Sequence, residues 1–90
     1  MADEDEKIKA TLIYHLRRKN VIGGAHTNFE TLKRGFPGHL GKDVLGIAKE
    51  LVKEGLLLTK PASYGLQVML NKERINEIDD FIAKTLGFRF

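Results

Sequence analysis

Hydrophobic positions in the middle of the chain predict a helix that is followed directly by a β-hairpin. Apolar residues recur at the spacing of one helix face within Gly41–Glu54, and Gly55 then ends the helix as a left-handed cap. After Gly55, apolar residues alternate along two short strands joined by a five-residue loop, residues 61–65. The predicted inward-facing residues of the hairpin are Leu56, Leu58, Leu66, Val68 and Leu70.

The N-terminal part of the chain predicts two more helices. The first is Glu4–Lys19, which begins with acidic residues and ends with basic ones, as the helix dipole favours. The second is Asn28–Arg34, which Thr27 and Glu30 open as a capping box. Between them, residues 21–24 predict a short strand that joins the hairpin, followed by a glycine turn.

Two further segments complete the predicted order of elements. Residues 36–40 form the turn between the second and third helices, because Pro37 prevents the second helix from continuing and Gly41 is expected to be the next N-cap. Asn71 predicts the N-cap of a final helix that ends at Gly87. The apolar stripe of this final helix consists of Ile75, Ile78, Phe81, Ile82 and Leu86.

The resulting order is helix, short strand, helix, helix, strand, strand, helix. This order predicts an α+β fold, a winged helix-turn-helix with a three-helix core, a two- to three-stranded β-wing and an additional C-terminal helix. Ninety residues support a single hydrophobic core. We assign residues 1–6 to an acidic, flexible N-terminus and residues 7–90 to the winged-helix domain.

Composition and charge restrict the classes of function. The net charge is +3, but residues 7–90 carry eight acids against fifteen bases, a net of +7, which favours a nucleic-acid partner. The absence of cysteine excludes disulfides, iron–sulfur clusters and thiolate zinc sites. No apolar run approaches the ~18 residues of a membrane span, and the acidic N-terminus does not resemble an export signal. We therefore expect a cytoplasmic protein without a membrane partner.

Three short runs resemble small archaeal winged-helix proteins. The first is His26–Leu32, followed by Gly35-Phe36-Pro37 and His39. The second is Lys53-Glu54-Gly55, and the third is Lys60–Gly65 with Leu70-Asn71 after it. The resemblance covers roughly residues 26–78. It implies a winged-helix fold and, through the fold alone, a DNA-binding role.

DNA-binding residues are expected on the third helix, the wing and two basic helix ends. The second helix of a helix-turn-helix lies in the major groove, where its N-terminal residues reach base edges. Gly41–Glu54 contains no Arg, Asn or Gln, so we expect phosphate contacts rather than sequence-specific readout. The predicted contacts are His39, Lys42, Lys49 and Lys53 on the helix, Lys60, Ser63 and Tyr64 on the wing, and Lys33, Arg34, Arg17, Arg18 and Lys19 on the phosphate backbone. The predicted function is transcription regulation through double-stranded DNA.

Two alternatives compete with this interpretation. The charged residues of the third helix would form ion pairs with one another on a solvent-exposed face, such as Glu50 with Lys53 and Lys49 with Glu54. The protein would then be an interaction module that forms a homodimer or binds a protein partner through an apolar patch. That patch would comprise Leu57, Met69, Phe88 and Phe90. Structured RNA is a third possible ligand, for which the chain has no dedicated motif.

The chain offers no pattern that indicates catalysis. His15, His26 and His39 lack the short spacing of a zinc site. No Gly-rich phosphate loop, nucleophile elbow or HExxH sequence occurs. We therefore expect a protein without enzymatic activity, cofactor or small-molecule site.

Overall fold

The computed structural model, which describes residues 2–87, has three α-helices and one three-stranded antiparallel sheet. The helices are α1 (Ala2–Arg18), α2 (Gly41–Lys53) and α3 (Ile75–Leu86), and the strands are β1 (Thr27–Asn28), β2 (Leu57–Ala62) and β3 (Gly65–Leu70). Three 3-10 helices cover Phe29–Lys33, Gly38–Leu40 and Lys72–Arg74. The predicted α+β class is confirmed, and the layout is compatible with a winged helix. No helix among the described residues is long and apolar enough to cross a membrane.

The core is formed where the three helices pack on one another and on the inner face of the sheet. Its fully buried large side chains are Leu12, Ile13, Val44, Leu51, Leu57, Val68, Leu70, Ile78 and Ile82. The predicted apolar stripes of all three helices therefore face the core. Helix α1 already begins at Ala2, so residues 2–6, which the sequence assigns to a separate N-terminal segment, belong to the helix.

Strand β3 is the centre of the sheet, because it pairs with β1 on one side and with β2 on the other. The pairing of β2 with β3 runs from Leu57 opposite Leu70 to Ala62 opposite Gly65. Only Ser63 and Tyr64 remain as the loop, so the predicted five-residue loop is wrong. Strand β2 lies at an edge of the sheet, where a proline such as Pro61 is tolerated within a strand.

The predicted orientation of β2 is also wrong. Leu57, expected on the outer face, is fully buried, whereas Leu58 is 43% exposed. Three consecutive leucines leave the alternation ambiguous, and the pairing with β3 decides it, because Leu57 lies opposite the buried Leu70. Leu56 is buried just before the strand begins. Leu66, predicted to be buried, is 41% exposed near the tip of the hairpin.

The segment between α1 and α2 differs most from the prediction. Asn28 rather than Thr27 is the N-cap, and its Oδ1 accepts a hydrogen bond from the Glu30 N–H at 2.8 Å. The predicted second helix is a five-residue 3-10 helix, a form that short helices often adopt. The predicted strand at residues 21–22 is reduced to a single bridge between Ile22 and Leu70, and β1 forms further along the chain.

The predicted ends of α2 and α3 have mixed outcomes. Gly41 is not an N-cap, since it lies inside α2 with helical dihedrals and Leu40 precedes it at the cap position. Gly55 has a φ of +81° and ends α2 as predicted. Asn71 is a cap, although of the 3-10 helix before α3, where its Oδ1 accepts from the Glu73 N–H at 3.1 Å. Its Nδ2 donates to the Gly55 carbonyl at 2.9 Å, which joins this turn to the end of α2.

Candidate nucleic-acid interface

Helix α2 presents a row of three exposed lysines along its solvent face. Lys42, Lys49 and Lys53 follow one another with Gly46 between the first two, at a spacing that keeps all four on one side of the helix. The opposite side is buried by Val44, Ile47, Ala48 and Leu51. This face therefore points outward because the apolar stripe fixes the rotation of α2.

The ion pairs expected as an alternative on this face do not form. Within residues 2–87, Lys49 and Lys53 lie in no ion pair. Glu54 pairs instead with Lys9 of α1, with the Lys9 Nζ 3.1 Å from the Glu54 Oε1. Glu50 is exposed and forms no ion pair in the described part of the chain. The lysines are thus available to an external partner.

A first groove runs between the 3-10 helix Phe29–Lys33 and the start of α2. Its lining consists of Lys33, Arg34, Gly38, Gly41, Lys42 and Leu45. Gly41 lies beside Lys33, because a Cβ added at Gly41 would be 3.5 Å from the Lys33 Cδ. Three cations from two elements therefore meet along this groove.

A second groove lies at the C-terminal end of α1. Its lining consists of His15, Arg18, Lys19, Arg34 and Gly35. Arg34 lines both grooves, which therefore meet at this residue. We call the five cations of the two grooves, Arg18, Lys19, Lys33, Arg34 and Lys42, the basic strip. No acidic side chain of the described residues lines either groove.

Only one member of the basic strip has an ion pair within the described part of the chain. The Lys33 Nζ lies 3.7 Å from the Glu30 Oε1, and both side chains are largely exposed. An exposed pair of this kind contributes ~0–1 kcal/mol and exchanges readily with another anion. The strip is therefore a concentration of positive charge that the described residues barely neutralise.

Arg17, predicted to hold phosphate with its two neighbours, is engaged elsewhere. Its Nε donates to the Asp79 Oδ1 at 3.0 Å and its Nη2 to the Asp79 Oδ2 at 3.4 Å. Both side chains are about three-quarters buried, and the pair joins α1 to α3. The structure therefore separates Arg17 from Arg18 and Lys19, which line the second groove.

The wing residues lie apart from the basic strip, since none of them lines either groove. Lys60 is exposed on β2, and Ser63 is exposed in the hairpin loop. Tyr64 is 69% exposed at the tip of the hairpin. His39 is exposed in the 3-10 helix that leads into α2.

His15 also lines the second groove. From the sequence we considered it only as a metal ligand, a role that the spacing of the histidines does not support. Its ring packs against Phe36 with the ring centroids 5.4 Å apart. Burial, followed by the charges of Lys19 and Arg18, lowers the pKa of His15 from its usual 6.5. The signal was available in the sequence, because Arg18 and Lys19 follow His15 by three and four residues and share its helix face.

The apolar patch of the protein-interaction alternative does not form as predicted. Leu57 is buried, and Met69 is half-buried. Leu58 pairs with Met69 on the outer face, whereas Leu66 belongs to the same face as Val68. The exposed leucines therefore lie on opposite faces of the hairpin. Phe88 and Phe90, the other two predicted members, lie outside the described residues.

Among the residues that the structure describes, no group of three or more His, Cys, Asp or Glu side chains is placed to hold a metal ion.

Comparisons with other proteins add no family assignment. A scan against models of protein families, a search of curated proteins and a search of solved structures each give no significant match.

Proposed function

We propose that this chain is a winged helix-turn-helix domain that binds double-stranded DNA and acts in transcription regulation. The basic strip is the observation that carries the proposal. Five cations from the end of α1, the first 3-10 helix and the start of α2 meet along two joined grooves that no described acid lines. A polyanion whose charges are evenly spaced suits such a surface.

The position of the strip supports docking of α2 into the major groove. In helix-turn-helix proteins the helix before the recognition helix crosses the backbone, and the N-terminal part of the recognition helix enters the groove. Here Lys33 ends the 3-10 helix Phe29–Lys33, Arg34 follows it, and Lys42 lies in the first turn of α2. Phosphates bound along the strip would place that first turn at the groove edge.

The remaining face of α2 would contribute modest sequence discrimination. Lys49 and Lys53 donate to guanine acceptors or to phosphate, while Asp43 and Glu50 beside them accept only from donors such as the cytosine amino group. These carboxylates repel phosphate. Most of the affinity therefore comes from the basic strip. On this face of α2, the two acids favour contacts with bases over contacts with the phosphate backbone. Lys60, Ser63 and Tyr64 would form a second contact from the wing.

The test is the affinity for a mixed-sequence DNA duplex, measured by fluorescence anisotropy for the unaltered protein and for the double variant Arg34→Ala/Lys42→Ala. Each lost phosphate contact lowers affinity by about 0.9 log unit at ~0.1 M salt, so the double variant should bind roughly 50-fold more weakly. The matched control is Lys7→Ala/Lys84→Ala, which removes the same charge from exposed lysines outside both grooves. Control affinity should stay close to that of the unaltered protein.

Two outcomes would overturn this proposal. An equal loss in the control variant would show that net charge rather than the strip drives binding. If the unaltered protein does not bind duplex DNA even at low salt, the protein-interaction alternative becomes the better account. Size-exclusion chromatography with light scattering would then establish whether the chain pairs with itself.

A further inference from the structure

The imidazole of His15 is held in place inside the second groove of the basic strip. On one side it packs against the Phe36 ring at an angle of 55°. On another it lies close to Gly35, where an added Cβ would lie 3.2 Å from the His15 Cε1. Gly35 also has a φ of +90°, which disfavours any residue with a side chain. The ring is thus fixed beside the three cations that line the same groove.

We propose that His15 is a fourth ligand of a DNA backbone phosphate in this groove, acting as an imidazolium together with Arg18, Lys19 and Arg34. This inference rests on the proposed DNA binding. It adds a residue and a pH dependence that the positions of the lysines and arginines do not by themselves imply. The ligand is a phosphodiester, because the groove offers cationic hydrogen-bond donors and no acidic side chain among the described residues lines it.

The electrostatics of the groove couple protonation of His15 to phosphate binding. In the free protein, Arg18 at the end of α1, Lys19 just after it and Arg34 from the neighbouring segment line the groove with the imidazole. The Tyr14 ring lies next to the imidazole, with the ring centroids 6.1 Å apart. Burial, followed by the charges of Lys19 and Arg18, lowers the pKa of His15 and so favours the neutral imidazole. A phosphate within ~4–6 Å reverses the local field and favours the charged imidazolium. DNA binding must then take up a proton, and by linkage lower pH must tighten binding.

The test compares DNA affinity at about pH 5.5 and about pH 8, the range in which histidines titrate. It uses a His39→Gln background, because His39, in the 3-10 helix that leads into α2, is itself a predicted DNA contact. Lowering the pH should tighten DNA binding roughly tenfold at ~0.1 M salt. It should also make the slope of log affinity against log salt steeper by about 0.9, the contribution of one phosphate contact. Adding His15→Gln should abolish both changes, so that affinity and salt dependence become the same at the two pH values. The matched control is His26→Gln, an exposed histidine outside both grooves, which should retain them.

A second measurement uses the unsubstituted chain, so its result does not depend on whether the His15→Gln variant folds. The NMR titration of His15 in the unsubstituted chain should show a pKa that rises when duplex DNA is added. Inorganic phosphate at the same anion concentration should raise it less, which distinguishes a backbone phosphate from a free anion. An unchanged His15 pKa on DNA, or a pH dependence that survives His15→Gln, would overturn this inference while leaving the proposed function intact. Absence of DNA binding at both pH values would instead refute the proposed function.

Discussion

Truncation of two adjacent leucines on β2 tests how the hairpin is oriented on the core. Leu57 is fully buried, whereas Leu58 is 43% exposed and lies on the outer face opposite Met69. Leu57→Ala removes a fully buried side chain and leaves a cavity, which costs ~2–5 kcal/mol of unfolding free energy. At Leu58 little cavity forms and part of the apolar surface is already in water, so we expect a cost below ~1 kcal/mol.

The assay is thermal or urea unfolding of the two variants beside the unaltered protein. For a domain of this size, 1 kcal/mol corresponds to a Tm change of about 4–8 °C. Leu57→Ala should therefore lower Tm by at least ~8 °C, and Leu58→Ala by less than ~8 °C. Equal losses, or a larger loss for Leu58→Ala, would refute the observed register. They would support the opposite orientation that alternation from Leu56 predicts.

Three further predictions concern the helices and the second groove. Gly46→Ala should stabilise the fold by about 0.5–1 kcal/mol in urea unfolding, because Gly46 is helical and an added Cβ would meet no atom within 4 Å. A loss of stability would contradict the open space at this position. Arg17→Ala and Asp79→Ala should show a coupling energy of about 1 kcal/mol in a double-mutant cycle, since their bidentate pair is partly buried; additive losses would contradict the pair. Because the folded chain holds the pKa of His15 below 6.5, the unfolded chain binds more protons, so the free protein should lose stability as pH falls through about 6.5 and below. His15→Gln should flatten that part of the pH profile, measured as urea midpoints, and an unchanged profile would contradict this assignment.

The long amphipathic helices could be predicted from the sequence because each carries many periodic positions that agree. The stripe of α2 and its end at Gly55 are examples. Short elements carry too few positions to decide between alternatives. Asn28 and Thr27 are both good caps and both pair with β3, so residue type alone does not show that Asn28 takes the capping role.

The individual cations of the candidate site could also be predicted, but their grouping could not. Arg17 and Arg18 differ by one residue, which rotates the side chain by about 100° around the helix. Only the packing of α3 on α1 shows that Arg17 meets Asp79 while Arg18 lines the groove. The meeting of Arg34 with Lys19 likewise depends on how the 3-10 helix packs on the end of α1.

The dependence of DNA affinity on salt concentration tests the central claim, that the basic strip binds the phosphate backbone. Five phosphate contacts give a slope of about −4.5 for log affinity against log salt, and contacts from the α2 face or the wing would make it steeper. The variant Arg34→Ala/Lys42→Ala should lose about 2 units of that slope, while Lys7→Ala/Lys84→Ala should keep it. A slope near zero, or an identical slope for the strip variant and the unaltered protein, would contradict the claim.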